Sequence, residues 1–68
     1  MGHSTVRAAI LPDILTQLMD FYGWDENTTL DRFYRSATGA AFSDDETGLY
    51  GQSPNYIVFL FREERGDI

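Results

Sequence analysis

The 68-residue chain has no cysteine, no lysine and a single histidine, His3. Without cysteine there is no disulfide to staple the fold and no thiolate to bind zinc or attack a substrate. Without lysine there is no Schiff-base chemistry and no phosphate loop, which needs a Gly-Lys-Ser/Thr core. His3 falls in residues 1–5, a stretch expected to fray, so no internal imidazole is left as a metal ligand or as a base for a serine. No apolar run approaches the roughly 18 residues of a membrane span. Pro12 and Asp13 also cut short the apolar stretch that a secretory leader would need. The missing cysteine fits a reducing compartment, and the cytoplasm is the expected location.

Positive charge is scarce as well. Five arginines (Arg7, Arg32, Arg35, Arg62 and Arg65) stand against eleven carboxylates, for a net charge of −6. An acidic surface repels phosphate backbones, which argues against nucleic-acid binding. Arg32 and Arg35 make a local basic spot on one helix, read here as a solvated face.

What the chain has in plenty is aromatic residues: Phe21, Tyr22, Trp24, Phe33, Tyr34, Phe42, Tyr50, Tyr56, Phe59 and Phe61. A single domain of this size buries only about 60% of its unfolded surface, and each aromatic offers roughly 150–250 Å². Burying all of them in one small core is hard, so a protein partner or a homodimer is expected.

The apolar spacing predicts helices. Leu11, Ile14, Leu15, Leu18, Phe21 and Tyr22 share one face over residues 12–22, with Asp13, Thr16, Gln17 and Asp20 opposite. Pro12 suits a first turn, Asp13 complements the dipole there, and Gly23 ends the helix. Upstream, either the helix starts near Pro12 or a preceding helical segment is kinked against it, and some helix from about Val6 is the expectation. A second helix is expected over residues 26–37, with Asp25 as its N-cap, Trp24 just before it, and Leu30, Phe33, Tyr34 and Ala37 inward. Thr38 and Gly39 end it, and a short turn drops Phe42 into the core. Ser43, Asp44, Asp45 and Glu46 then match a capping box, Ser43 to the Glu46 N–H and Glu46 back, opening one helical turn that Gly48 closes.

Ser53 and Pro54 read as the N-cap and first position of a last helix. Residues 56–61 are all strand-favouring and would also suit a buried strand, but the capped start and the run into Arg62, Glu63, Glu64 and Arg65 favour a helix. On that helix Tyr56, Ile57, Leu60 and Phe61 face one way, leaving Val58 and Phe59 as surplus apolar surface. With Trp24 and Tyr50, whose polar atoms on apolar bodies suit interfaces, they are the candidate interface residues.

Residues 33–57 crowd serines, carboxylates and glycines together, yet each has a structural explanation. The acidic run lacks the alternation and trailing glutamate of a calcium loop. Ser53 sits in Gly51-Gln52-Ser53-Pro54-Asn55, which lacks the second glycine of a nucleophile elbow. Ser36 has no base partner. No catalytic residue, metal site or cofactor is assigned.

The order Phe33-Tyr34-x-Ser36, then Ser43-Asp44-Asp45-Glu46-Thr47-Gly48-Leu49-Tyr50, then Gln52-Ser53-Pro54 resembles small bacterial domains of unknown function. In these an FYxS…DxETGLY…S core precedes a final helix. Such domains are encoded beside toxin-like genes, ADP-ribosyltransferase-like ones included. The resemblance covers most of the chain and implies an antitoxin-like or accessory role. It supplies no catalytic residues, and residues 1–9 lie outside it.

The expectation is therefore one all-α domain over residues 1–68, its core about 10–65. Its architecture is a small bundle of three main helices plus a short helical turn. Its expected role is a non-enzymatic protein–protein interaction module, or alternatively an acidic regulator masking a toxin-like partner.

Overall fold

The computed structural model of the chain describes residues 2–44, 46 and 48–68, and the side chains of these except at 2–7 and 50. It is all-α: α1 Gly2–Tyr22, α2 Glu26–Arg35, α3 Ala37–Ser43 and α4 Pro54–Glu64, with a 3₁₀ turn at Leu49–Gly51. The three main helices are α1, α2 and α4, and α3 is the short one.

The first helix runs ten residues further upstream than its apolar periodicity starts, and Pro12 lies inside it. A proline brings no N–H, so it leaves the Ala8 carbonyl without its usual helical donor. Ala8 and Pro12 are both exposed, where water can serve that carbonyl. Asp13 is consequently a mid-helix residue and not the first-turn dipole partner expected. At the far end, Gly23 takes a left-handed φ of +72° and donates its N–H to the Met19 carbonyl at 2.8 Å, closing the helix as its position suggested.

Asp25 caps α2 by accepting from the Thr28 N–H at 2.7 Å. The buried face of α2 is not the one expected. Thr29 and Phe33 are buried, whereas Leu30 and Tyr34 are 37% and 43% exposed. Thr29 enters the core because its hydroxyl donates to the Asp25 carbonyl at 2.7 Å, so no polar atom is left unpaired.

The helix then stops at Arg35, two residues early. Ser36 is extended (φ −81°, ψ 162°), donates its hydroxyl to the Phe33 carbonyl at 2.6 Å and accepts from the Gly39 N–H at 2.9 Å. One side chain thus ends α2 and caps α3. Ala37 and Gly39, read as the tail and the stop of one helix, belong to the next.

A capping box at Ser43 does not form. Ser43 is the last residue of α3, and Asp44 beyond it is extended (φ −91°, ψ 118°), so no helix can start there. The Glu46 N–H donates to the Asp44 carboxylate at 2.9 Å and not to Ser43. Asp45, the other member of the acidic run, lies outside the described residues. The short helical turn falls later, at Leu49–Gly51, led by Gly48 at φ +70°. Ser53 does cap α4, accepting from the Tyr56 N–H at 3.2 Å, with Pro54 at the first helical position.

The core joins all four helices: Ile14 and Leu18 from α1, Phe33 from α2, Phe42 from α3, and Ile57, Val58 and Phe61 from α4. The Phe33 ring lies 5.6 Å from that of Phe42 and 6.0 Å from that of Phe61. Val58 is 6% exposed, so it is not surplus surface. Helix α4 packs on α1 along one side and on α3 along another, and a helix held between two neighbours buries a wider arc than a single-face reading allows.

Glu64, at the end of α4, ties it to the start of α3. Its carboxylate accepts from the N–H groups of Ala37 (2.8 Å) and Thr38 (2.9 Å) and from the Thr38 hydroxyl (2.7 Å). Partial burial pushes the Glu64 carboxyl up. The hydrogen bonds from Thr38 and Ala37, with the charge of Arg65, more than reverse this and hold it below the usual carboxylate value. A folded pKa below the unfolded one adds stability that is complete above the unfolded value near 4.5 and lost as pH falls through the folded one. Glu64→Gln should therefore cost about 1 kcal/mol at neutral pH and flatten the acid limb of the stability profile, read from urea midpoints between pH 3 and 7. An unchanged acid limb in the variant would mean that these bonds carry no pH dependence.

Candidate functional site

Of the four residues singled out as an interface, Val58 lies in the core, and the side chain of Tyr50 is outside the described residues. Phe59 is 43% exposed and Trp24 partly buried. Phe59 stands with Tyr56, itself 47% exposed, one turn apart on the outward side of α4. Trp24 is elsewhere, at the end of the bundle where α1 passes into α2. Phe59, Trp24 and Val58 therefore do not form one surface.

Two other surfaces do. The first is an apolar groove of about 580 Å³ between α1 and α2, lined by Leu11, Leu15, Met19 and Leu30 among others. It exists because α2 turns Thr29 and Phe33 inward, which leaves Leu30 on the flank facing α1. Among the described side chains Glu26 is the one charged residue along it. Periodicity had put Leu30 and Leu15 on apolar faces but could not show that the two faces meet only at their edges.

The second surface is an aromatic and arginine cluster at the Trp24 end. Tyr22 stacks on Trp24 with ring centroids 4.3 Å apart and planes 10° from parallel. The guanidinium carbons of Arg32 and Arg65 lie 4.9 Å and 5.0 Å from the Trp24 centroid, and that of Arg65 is also 5.0 Å from the Tyr22 ring. Asp67 closes the cluster, accepting from the Tyr22 hydroxyl at 2.6 Å and pairing with Arg65 Nε at 3.5 Å. Burial, with the Asp67 hydrogen bond and charge, raises the Tyr22 pKa above its usual value despite the opposing pull of Arg65. The phenol thus stays protonated and donating. Each cation–π contact at such a site is worth about 0.5–1 kcal/mol. A separate pair, Arg62 over Phe21 at 3.8 Å, covers part of the exposed Phe21 ring.

The other shifted carboxyl is that of Asp25, lowered by its hydrogen bonds with Thr28 as its capping role requires. Tyr22, Asp25 and Glu64 each spend their hydrogen bonds on holding the fold together. Among the described residues no group of three or more His, Asp or Glu could hold a metal ion, and no helix is long and apolar enough to cross a membrane. No protein-family model, curated protein or solved structure matches this chain.

Proposed function

We propose that the chain is a non-enzymatic protein–protein interaction module whose α1–α2 groove receives an amphipathic helix from a partner. The observation that carries this reading is the groove itself: about 580 Å³ in volume, with an apolar floor of Leu11, Leu15 and Met19 from α1 and Leu30 from α2. Burying an apolar helix face there returns about 25 cal/mol per Å² removed from water. The partner helix carries arginine or lysine beside its apolar stripe. Glu26 edges the groove with no cation beside it among the described side chains, and the chain as a whole bears a charge of −6. A second copy of the chain fits less well, because two such surfaces repel each other. Antitoxin-like masking of a partner would be one form of this activity.

The test is titration of a leucine- and lysine-patterned helical peptide into the labelled protein, followed by methyl NMR. Shifts confined to Leu11, Leu15, Met19 and Leu30, with affinity down at least tenfold in the Met19→Ser, Leu30→Ser double variant, are expected. Both residues are at least partly exposed, so this variant keeps its fold. Binding indifferent to the double variant would defeat the proposal. So would sedimentation showing a dimer of the free chain that the same two changes dissolve, since the groove would then hold a second copy.

A further inference from the structure

The chain is poor in positive charge, yet three of its five arginines converge on one place. Arg32 and Arg35 from α2 and Arg65 from just beyond α4 line a single cleft of about 280 Å³, with Ser36, Phe61 and Glu64. Chance scatter of five cations over an acidic surface would seat them near the eleven carboxylates. Here three of them line one cleft, and like charges around a shared cleft favour an anion among them.

The carboxylates nearby meet that need only in part. Glu64 lines the cleft and its charge acts on Arg65, but its oxygens are already engaged by the Ala37 and Thr38 N–H groups and the Thr38 hydroxyl. Asp67 shares one oxygen between the Tyr22 hydroxyl and Arg65 Nε, the latter at 3.5 Å. Asp31 pairs with Arg35 at 2.9 Å, but these side chains are 57% and 80% exposed, and a solvated i,i+4 pair of this kind is weak and readily exchanged. Arg32 has no carboxylate partner among the described residues and rests only on the Trp24 ring.

Guanidinium groups are planar forks of N–H donors, and several around one cleft suit the tetrahedral oxygens of a phosphate better than they suit a single carboxylate. The rings of Trp24 and Phe61 hold the Arg65 guanidinium near the cleft, which lowers the entropy lost on engaging a ligand. We propose that the cleft between Arg32, Arg35 and Arg65 is a binding site for a phosphate dianion, free or carried as a monoester. It is separate from the α1–α2 groove and does not depend on what that groove binds.

Trp24 is the only tryptophan in the chain and lies against two of the three arginines, so its fluorescence reports on their engagement. Inorganic phosphate and phosphoserine are titrated separately at constant ionic strength, with chloride and unmodified serine as controls. A saturable change with phosphate or phosphoserine, absent with chloride and serine, is expected. Stronger binding of phosphoserine than of phosphate would assign a monoester, and equal binding the free anion. Arg32→Gln and Arg65→Gln should each weaken it about tenfold, the loss of one charge-assisted hydrogen-bonding group. Since both also pack on Trp24, Arg35→Gln provides the variant that leaves the rings untouched; it should weaken binding several-fold at unchanged thermal stability. No saturable change up to 50 mM phosphate, or an equal response to chloride, would overturn the proposal. Affinity indifferent to Arg35→Gln would remove Arg35 from the site and overturn the three-arginine arrangement.

Discussion

Phe33→Ala should remove about a third or more of the domain's stability and sharply lower its urea midpoint. Phe33 is fully buried, and its ring meets those of Phe42 from α3 and Phe61 from α4, so one side chain joins three helices. Truncating a buried phenylalanine to alanine costs about 3–5 kcal/mol through lost transfer energy and the cavity left behind. A domain of this length has only about 3–10 kcal/mol in total at typical per-residue stability. Collapse of a neighbour cannot close the cavity cheaply, because Ile14 and Leu18 on α1 and Ile57 on α4 are themselves packed at 0% exposure. Far-UV circular dichroism with a urea titration reads the result. Phe33→Leu, which keeps most of the volume, should retain a folded baseline. A Phe33→Ala loss below about 1 kcal/mol would mean that the three helices meet elsewhere.

Much of the fold was legible because much of it is local. Asp25, Gly23 and Ser53 do what their positions announce, since a cap or a stop involves residues within four of it. The features that were not legible depend on distance in the chain. Glu64 reaches back 26 and 27 residues to cap α3, and nothing in the spacing of either segment records that. Val58 appeared spare because a helical wheel assumes one buried face, whereas α4 has neighbours on two sides. Thr29 took the buried place expected of Leu30, because a threonine that bonds its own backbone can be buried at little cost.

The candidate surfaces follow the same division. Interface assignment by surplus hydrophobicity picked out Phe59 correctly as exposed but placed Val58 beside it wrongly, and it could not see the groove. That groove arises from the phase of α2 against α1, a relation between two helices and a property of neither. The arginine cleft was half visible in Arg32 and Arg35, three apart on one helix. Its third member, Arg65, arrives only when the end of α4 folds back beside α2. The acidic run before Gly48, which had invited readings as a calcium loop and a capping box, forms no helix start. Asp44 is spent on the Glu46 N–H.

Gly39→Ala should destabilise the domain by about 3 kcal/mol or more, although the same change in an ordinary helix interior stabilises by about 0.8–1.0 kcal/mol. The reversal of sign comes from how closely α3 crosses the end of α2. A Cβ at Gly39 would stand 1.8 Å from the Phe33 carbonyl oxygen, 2.6 Å from its carbon and 3.0 Å from Tyr34 Cα. These are backbone atoms, which no rotamer change can move. The Phe33 carbonyl is moreover fixed from the other side, accepting from the Ser36 hydroxyl at 2.6 Å and the Ser36 N–H at 3.2 Å. Relief would require α3 to lift away, breaking the Ser36 cap on Gly39 and pulling Thr38 from Glu64. Gly51 supplies the control: a Cβ there meets nothing within 4 Å and its φ is not positive, so Gly51→Ala should fall within about 0.5 kcal/mol of the parent. Denaturant midpoints of the two variants decide the matter. A Gly39→Ala protein as stable as Gly51→Ala would separate α3 from α2, and with it the reason that Ser36 divides one expected helix into two.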